Sequence, residues 1–111
     1  MQILKEIITK DYLNEIKDNY FGDMVKAVVD IDKELLGIDA ELHADIEELF
    51  IENGSKQENL WGINLYPEEE DFIEFDSLIN IRPRQNNKTR GVNDENTRKK
   101  IIEVPCHYLD V

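Results

Sequence analysis

An α+β fold is predicted by a change of hydrophobic period along the chain. Up to residue 40 the apolar side chains recur mostly at helical spacing, and from Glu41 onward they alternate as they do in a strand. A second observation is the punctuation. Thr9, Asp23 and Asn93 or Asp94 stand where helices would begin, and Asn53-Gly54-Ser55 stands where two strands would be joined. Helical segments flanking a run of alternating segments imply an antiparallel sheet with one apolar face under helices.

The elements follow in order. Gln2 to Ile8 is a short apolar stretch that predicts an edge strand. Thr9 then caps a helix with Asp11 in its first turn, Leu13, Ile16 and Tyr20 at helical spacing, and Gly22 as its stop. From Met24 to Ile38 the sequence sends two signals. Val25, Val28, Val29 and Ile31 favour a strand. The polar positions Asp23, Lys26, Asp30, Lys33 and Glu34 fall on one helical face, opposite Met24, Val28, Ile31, Leu35 and Ile38, and on that periodicity the segment is read as a second helix. Three alternating stretches come next: Leu42–Ile51, Leu60–Tyr66 and Phe72–Ile81. In the second, Trp61, Ile63 and Leu65 share a face, and in the third, Ile73, Phe75, Ser77, Ile79 and Ile81 do. They predict a three-stranded antiparallel meander. Arg82 to Gly91 has no apolar residue and predicts an exposed loop. Asn93 or Asp94 caps a C-terminal helix, with Pro105 as its limit. The expected architecture is therefore an N-terminal strand, two helices, a three-stranded antiparallel meander and a C-terminal helix. Residues 1–111 are expected to form one domain, with 105–111 a short tail.

Composition narrows the class. The chain is 41% apolar and 34% charged, too apolar for disorder and too charged for a membrane span. No secretory signal is read at its start, and its one cysteine, Cys106, allows no internal disulfide. A reducing cytoplasmic setting is expected. The net charge is −12, which disfavours nucleic acid and anionic membrane as partners. The charge is uneven. Residues 1–81 carry 6 Lys and Arg against 21 Asp and Glu, and residues 82–100 carry 7 against 2.

The motifs MVKAVVDI (24–31), ELHAD (41–45), ENGSKQENLWGINLYP (52–67), IEFDSLINIRP (73–83) and TRGV (89–92) together resemble a family of short prokaryotic proteins labelled a domain of unknown function. The resemblance covers most of the chain. It implies one domain and no particular activity. This chain has Asp39-Ala40 where the family pattern often has a glycine pair, and Asn86 where it tends to have Gly; Asn tolerates a left-handed backbone, which would preserve the loop.

Two polar sites stand out. The basic loop holds Arg82, Arg84, Lys88 and Arg90 around Asn86 and Asn87, just before a helix N-terminus. Guanidinium forks, amides and free backbone N–H groups are what hold phosphate or carboxylate. The bland reading is a solvated connection, or a loop docked on the acidic part of its own chain or of a twin. The second candidate is the polar face of the sheet. As a strand, residues 41–47 would aim His43, Asp45 and Glu47 one way, and Glu74, Asp76, Asn80 and Arg82 would share a face of the third strand. A convergence of His43, Asp45, Glu74 and Asp76 could act as a general base or take a divalent metal. The bland reading, the solvated side of a sheet, is the stronger. Ser55 and Ser77 lack a His-acid pair, Cys106-His107 lie near an end, and Trp61 is read as core. No structural metal and no cofactor are expected. The leading function is a small binding or regulatory module that contacts an anion, a nucleotide or an acidic protein surface through residues 82–90. A small metal-dependent or hydrolase-like enzyme built on the sheet face is the alternative, and a homodimer without a small ligand is the third reading.

Overall fold

The β-branched run at residues 25–29 lies at the centre of the molecule, in a strand buried on both faces. The computed structural model describes residues 1–110. β1 (Gln2–Ile3) and β2 (Ile8–Thr9) lead into α1 (Lys10–Tyr20), and β3 (Val25–Asp30) and β4 (Leu35–Ile38) form a hairpin. α2 (His43–Glu52) precedes β5 (Leu60–Leu65) and β6 (Ile73–Glu74), and α3 (Glu95–Tyr108) runs into β7 (Leu109–Asp110). Three helices thus accompany a five-stranded antiparallel sheet of order β1-β4-β3-β5-β6, while β2 and β7 pair in parallel.

Val25, Ala27 and Val29 of β3 pack with Trp61, Ile63 and Leu65 of β5 against α1 and α3, represented by Leu13, Ile16, Ile101, Val104 and Tyr108. Val28 and Leu60 point the other way, into Ile46 and Phe50 of α2. The close approach of α2 depends on Gly37 in β4. A Cβ there would come within 2.6 Å of Ile46 and 2.8 Å of Phe50.

Several expectations are corrected. Residues 24–38 are a hairpin, not a helix. A strand covered on both faces shows no apolar-polar alternation, so the period test lost its contrast. Of the polar residues that looked like one helical face, Asp30, Lys33 and Glu34 make the turn, while Lys26 lies within β3 and Asp23 before it. Asp30 Oδ1 accepts from the backbone N–H groups of Asp32 (2.9 Å) and Lys33 (3.0 Å), and its Oδ2 accepts from Ser55 Oγ at 2.6 Å. Residues 42–51 are helix, not strand; His43, Ile46 and Phe50, at helical spacing, are its buried side. The three-stranded meander is therefore replaced by β5 paired with β3 on one side and with a two-residue β6 on the other. The third predicted strand leaves the ladder after Glu74 and turns through a short 3-10 helix at Leu78–Asn80. The N-terminal stretch makes two separate two-residue strands. Pro105 does not end the last helix. It sits inside α3 with its ring buried, forgoing a hydrogen bond to the Ile101 carbonyl, and the supposed tail continues into β7; Val111 lies outside the described residues.

Two of the three expected caps hold, and Asp23 precedes β3 instead of a helix. Thr9 accepts from Tyr12 N at 3.1 Å, and Asp94 accepts from Thr97 N at 2.9 Å. α1 stops at Tyr20, with Gly22 at φ +83° just beyond. Asp39 and Asn86, where the resemblance would set glycine, have the left-handed backbone that glycine adopts most readily, at φ +71° and +58°.

Candidate functional site

The loop after β6 is held in place by two buried carboxamides. Asn80, fully buried, donates from Nδ2 to the carbonyls of Gly62 (2.9 Å) and Arg90 (2.9 Å), while its Oδ1 accepts from Gly62 N at 2.8 Å. Its side chain thus stands where a strand neighbour would stand. Gly62 makes room, since a Cβ there would lie 2.5 Å from Ser77 Oγ. Asn87, also buried, donates from Nδ2 to the carbonyls of Asn80 (2.7 Å) and Gly91 (2.8 Å), and its Oδ1 accepts from Asn93 N at 2.9 Å.

This scaffold disperses the basic-loop candidates. Arg82 is 9% exposed and directed inward. Its guanidinium lies 4.7 Å over the Trp61 ring, donates to the Ile79 carbonyl at 3.0 Å and to the Leu60 carbonyl, and pairs with Glu47 at 3.4 Å. Burial lowers the Arg82 pKa and raises that of Glu47, and in each case the opposite charge of the partner works against the shift. Arg90 pairs with Asp76 at 2.6 Å. Arg84, Asn86 and Lys88 are exposed, and among the described residues Arg84 and Lys88 form no ion pair. Gln85, Asn86 and Asn87 border a cavity of about 410 Å³ at the start of α3, beside Trp61, whose Nε1 has no partner. The Asp94 carboxylate already occupies that helix end, so the cavity offers an anion little attraction.

The sheet-face candidates fare differently. His43, Glu74 and Asp76 line one cavity of about 560 Å³, between the start of α2, the β5–β6 edge and the following turn. Asp45 is exposed and does not line it, because a helix turns it away from His43. Asn80 and Arg82 do not line it either. The polar floor is built around Asn64 of β5, which is 4% exposed. Asn64 Nδ2 donates to Glu74 Oε1 at 2.8 Å and to the Asp76 carbonyl at 3.2 Å, and its Oδ1 has no hydrogen-bond partner. The Tyr66 hydroxyl donates to the same Glu74 oxygen at 3.1 Å; desolvation, followed by that bond and the Glu74 charge, pushes the phenol up to about 12, so it remains a donor. His43 is buried at the first position of α2, and its Nε2 lies 2.8 Å from the Ile63 carbonyl. A carbonyl only accepts, so Nε2 carries the proton. Burial lowers the His43 pKa, with the Lys26 charge adding to it, while the Ile63 carbonyl and the Asp76 charge pull the other way, as does Asn64, whose side-chain oxygen would accept from the charged ring. The ring is therefore held as the neutral Nε2–H tautomer, which leaves Nδ1 bare. The rim is apolar: Leu42 and Leu78 line it and are 52% and 68% exposed.

Asn64 and Tyr66 are the site residues that sequence reasoning missed. Asn64 interrupts the inward-facing residues of a fully buried strand, and that was the available signal. Among the described residues no group of three His, Cys, Asp or Glu side chains is placed to hold a metal ion. No helix among them is long and apolar enough to cross a membrane.

A helix-covered antiparallel sheet with a polar-floored, small-molecule-sized cavity at its β5–β6 edge defines an α+β protein. The chain belongs to the family of proteins of unknown function DUF5674, whose model matches residues 2–107. No curated protein and no solved structure matches it.

Proposed function

We propose that the protein is a small single-domain binding module whose ligand site is the cavity lined by His43, Asn64, Glu74 and Asp76. The observation that carries this reading is the unpartnered Asn64 Oδ1. A carbonyl oxygen buried in protein without a hydrogen bond costs about 1–3 kcal/mol, and a ligand donor would recover it. The basic loop takes a supporting role here: Arg90 braces Asp76, and Arg82 ties the loop to α2. A reducing cytoplasm is the setting that goes with a single exposed cysteine, Cys106.

The test is a screen of small polar molecules followed by amide chemical shifts. Perturbations should gather at His43, Asn64 and Glu74, and Ala44→Trp, at an exposed position on the cavity wall, should abolish them while the protein stays folded. Shifts confined to Arg84, Asn86 and Lys88 would instead make the loop the working surface.

A further inference from the structure

We infer that the cavity between α2 and the β5–β6 edge takes a primary ammonium group carried on a small apolar body. This rests on the reading of the cavity as a ligand site and adds the ligand's chemical class.

The argument is a count of what the floor still lacks. Most of its neutral protein donors are already committed: Asn64 Nδ2 to Glu74 and Asp76, the Tyr66 hydroxyl to Glu74, and His43 Nε2 to the Ile63 carbonyl, with the Ser77 hydroxyl, which accepts from Ile79 N, left over. What remains is mostly acceptor. Asn64 Oδ1 has no partner in a side chain that is 4% exposed. Glu74 uses Oε1 for both of its contacts, which leaves Oε2. Asp76 uses Oδ1 for Arg90, which leaves Oδ2. An ammonium brings three donors and a positive charge, and so suits a floor whose spare acceptors include two carboxylate oxygens. An anion would bring more acceptors to a floor that has spare acceptors already.

The two cations that border the cavity do not reverse this. Arg90 is 57% exposed in its side chain and spends its charge on Asp76, and Lys26 holds its ammonium 5.0 Å above the Phe21 ring. The long-range field also agrees, because a molecule of charge −12 gathers cations. The body of the ligand is set by the exposed rim residues Leu42 and Leu78, which leave an apolar lip over a polar floor. Two sources share this chemistry, a free alkylamine and an amino acid.

Three probes with the same branched apolar body separate the cases: isopentylamine, leucine and isovalerate, titrated calorimetrically with amide shifts recorded in parallel. The inference expects isopentylamine to bind, with shifts at Asn64 and Glu74. Leucine binding more tightly than the amine would assign an amino acid as the source, and leucine binding more weakly would assign a free amine. Glu74→Gln keeps the oxygen that Asn64 and Tyr66 use and should weaken amine binding about tenfold, the worth of one charge-assisted hydrogen bond, with the melting temperature unchanged. Isovalerate binding in place of the amine, with shifts at the same amides, would overturn the inference and leave the cavity as a site. Manganese broadening the Glu74 and Asp76 signals, with no effect of the amine, would overturn it in favour of a metal. If none of the three probes shifts these amides the inference also falls, and the wider screen with Ala44→Trp then judges the cavity on its own.

Discussion

His43 is a single residue asked to do two things: to start a helix and to line a cavity. Its ring is neutral because burial opposes a charge there, and that has a consequence for stability. A histidine whose pKa falls on folding binds its proton more readily in the unfolded chain. Its contribution is therefore complete above the unfolded value of about 6.5 and is lost as pH drops below that, towards the folded pKa. Stability, and the melting temperature with it, should decline as the pH falls below about 6.5 for this reason, by no more than about 1.4 kcal/mol per pH unit from one proton. His43→Gln can still donate to the Ile63 carbonyl and has no proton to gain, so thermal melts of that variant should be flatter across the same window. An equal slope in both proteins would place the titration elsewhere.

At the scale of elements, the turn that follows β6 depends on the Asn80 carboxamide in place of a strand. Asn80→Ala would strand the N–H and C=O of Gly62 in the interior and release the Arg90 carbonyl. We expect a loss of about 3 kcal/mol in urea denaturation, and a loss below 1 kcal/mol would mean that the loop reseats without it. This element also shows what the sequence could and could not disclose. The caps at Thr9 and Asp94 and the stop at Gly22 were legible because each acts on its own neighbours. So was the shared face of Trp61, Ile63 and Leu65. The hairpin at residues 24–38 was not, because β3 is buried on both faces and its polar neighbours Asp30, Lys33 and Glu34 gather in a turn that mimics a helical face. In α2 the alternation of charged residues hid the spacing of His43, Ile46 and Phe50, which only packing against Val28 and Gly37 makes decisive. The geometry of the candidate site was legible in part. His43, Glu74 and Asp76 do meet, though not by the strand geometry that suggested it, and Asp45 is lost for the same reason. Arg82 and Asn87, read as ligand groups from their chemistry, bond instead to carbonyls of their own chain. No local pattern tells an outward arginine from an inward one.

The whole molecule carries −12 on 111 residues, and only five ion pairs form among the described residues. Most of its carboxylates repel one another across the surface. Raising sodium chloride from about 0.05 to 0.5 M shortens the screening length from more than 10 Å to less than 5 Å and should relieve that repulsion, so the melting temperature should rise by several degrees. A fall would show that the ion pairs, the enclosed one of Arg82 with Glu47 above all, outweigh it. A different consequence follows from the outermost strands. β1 and β6 have two residues each, and beyond β6 the backbone of Gly62 is already saturated by a side-chain amide. A neighbouring chain looking for main-chain partners therefore meets a margin too short to template growth. Copies of this protein that associate must do so through side chains, and the sheet, though apolar on both faces, is closed to the strand-by-strand accretion that builds fibrils.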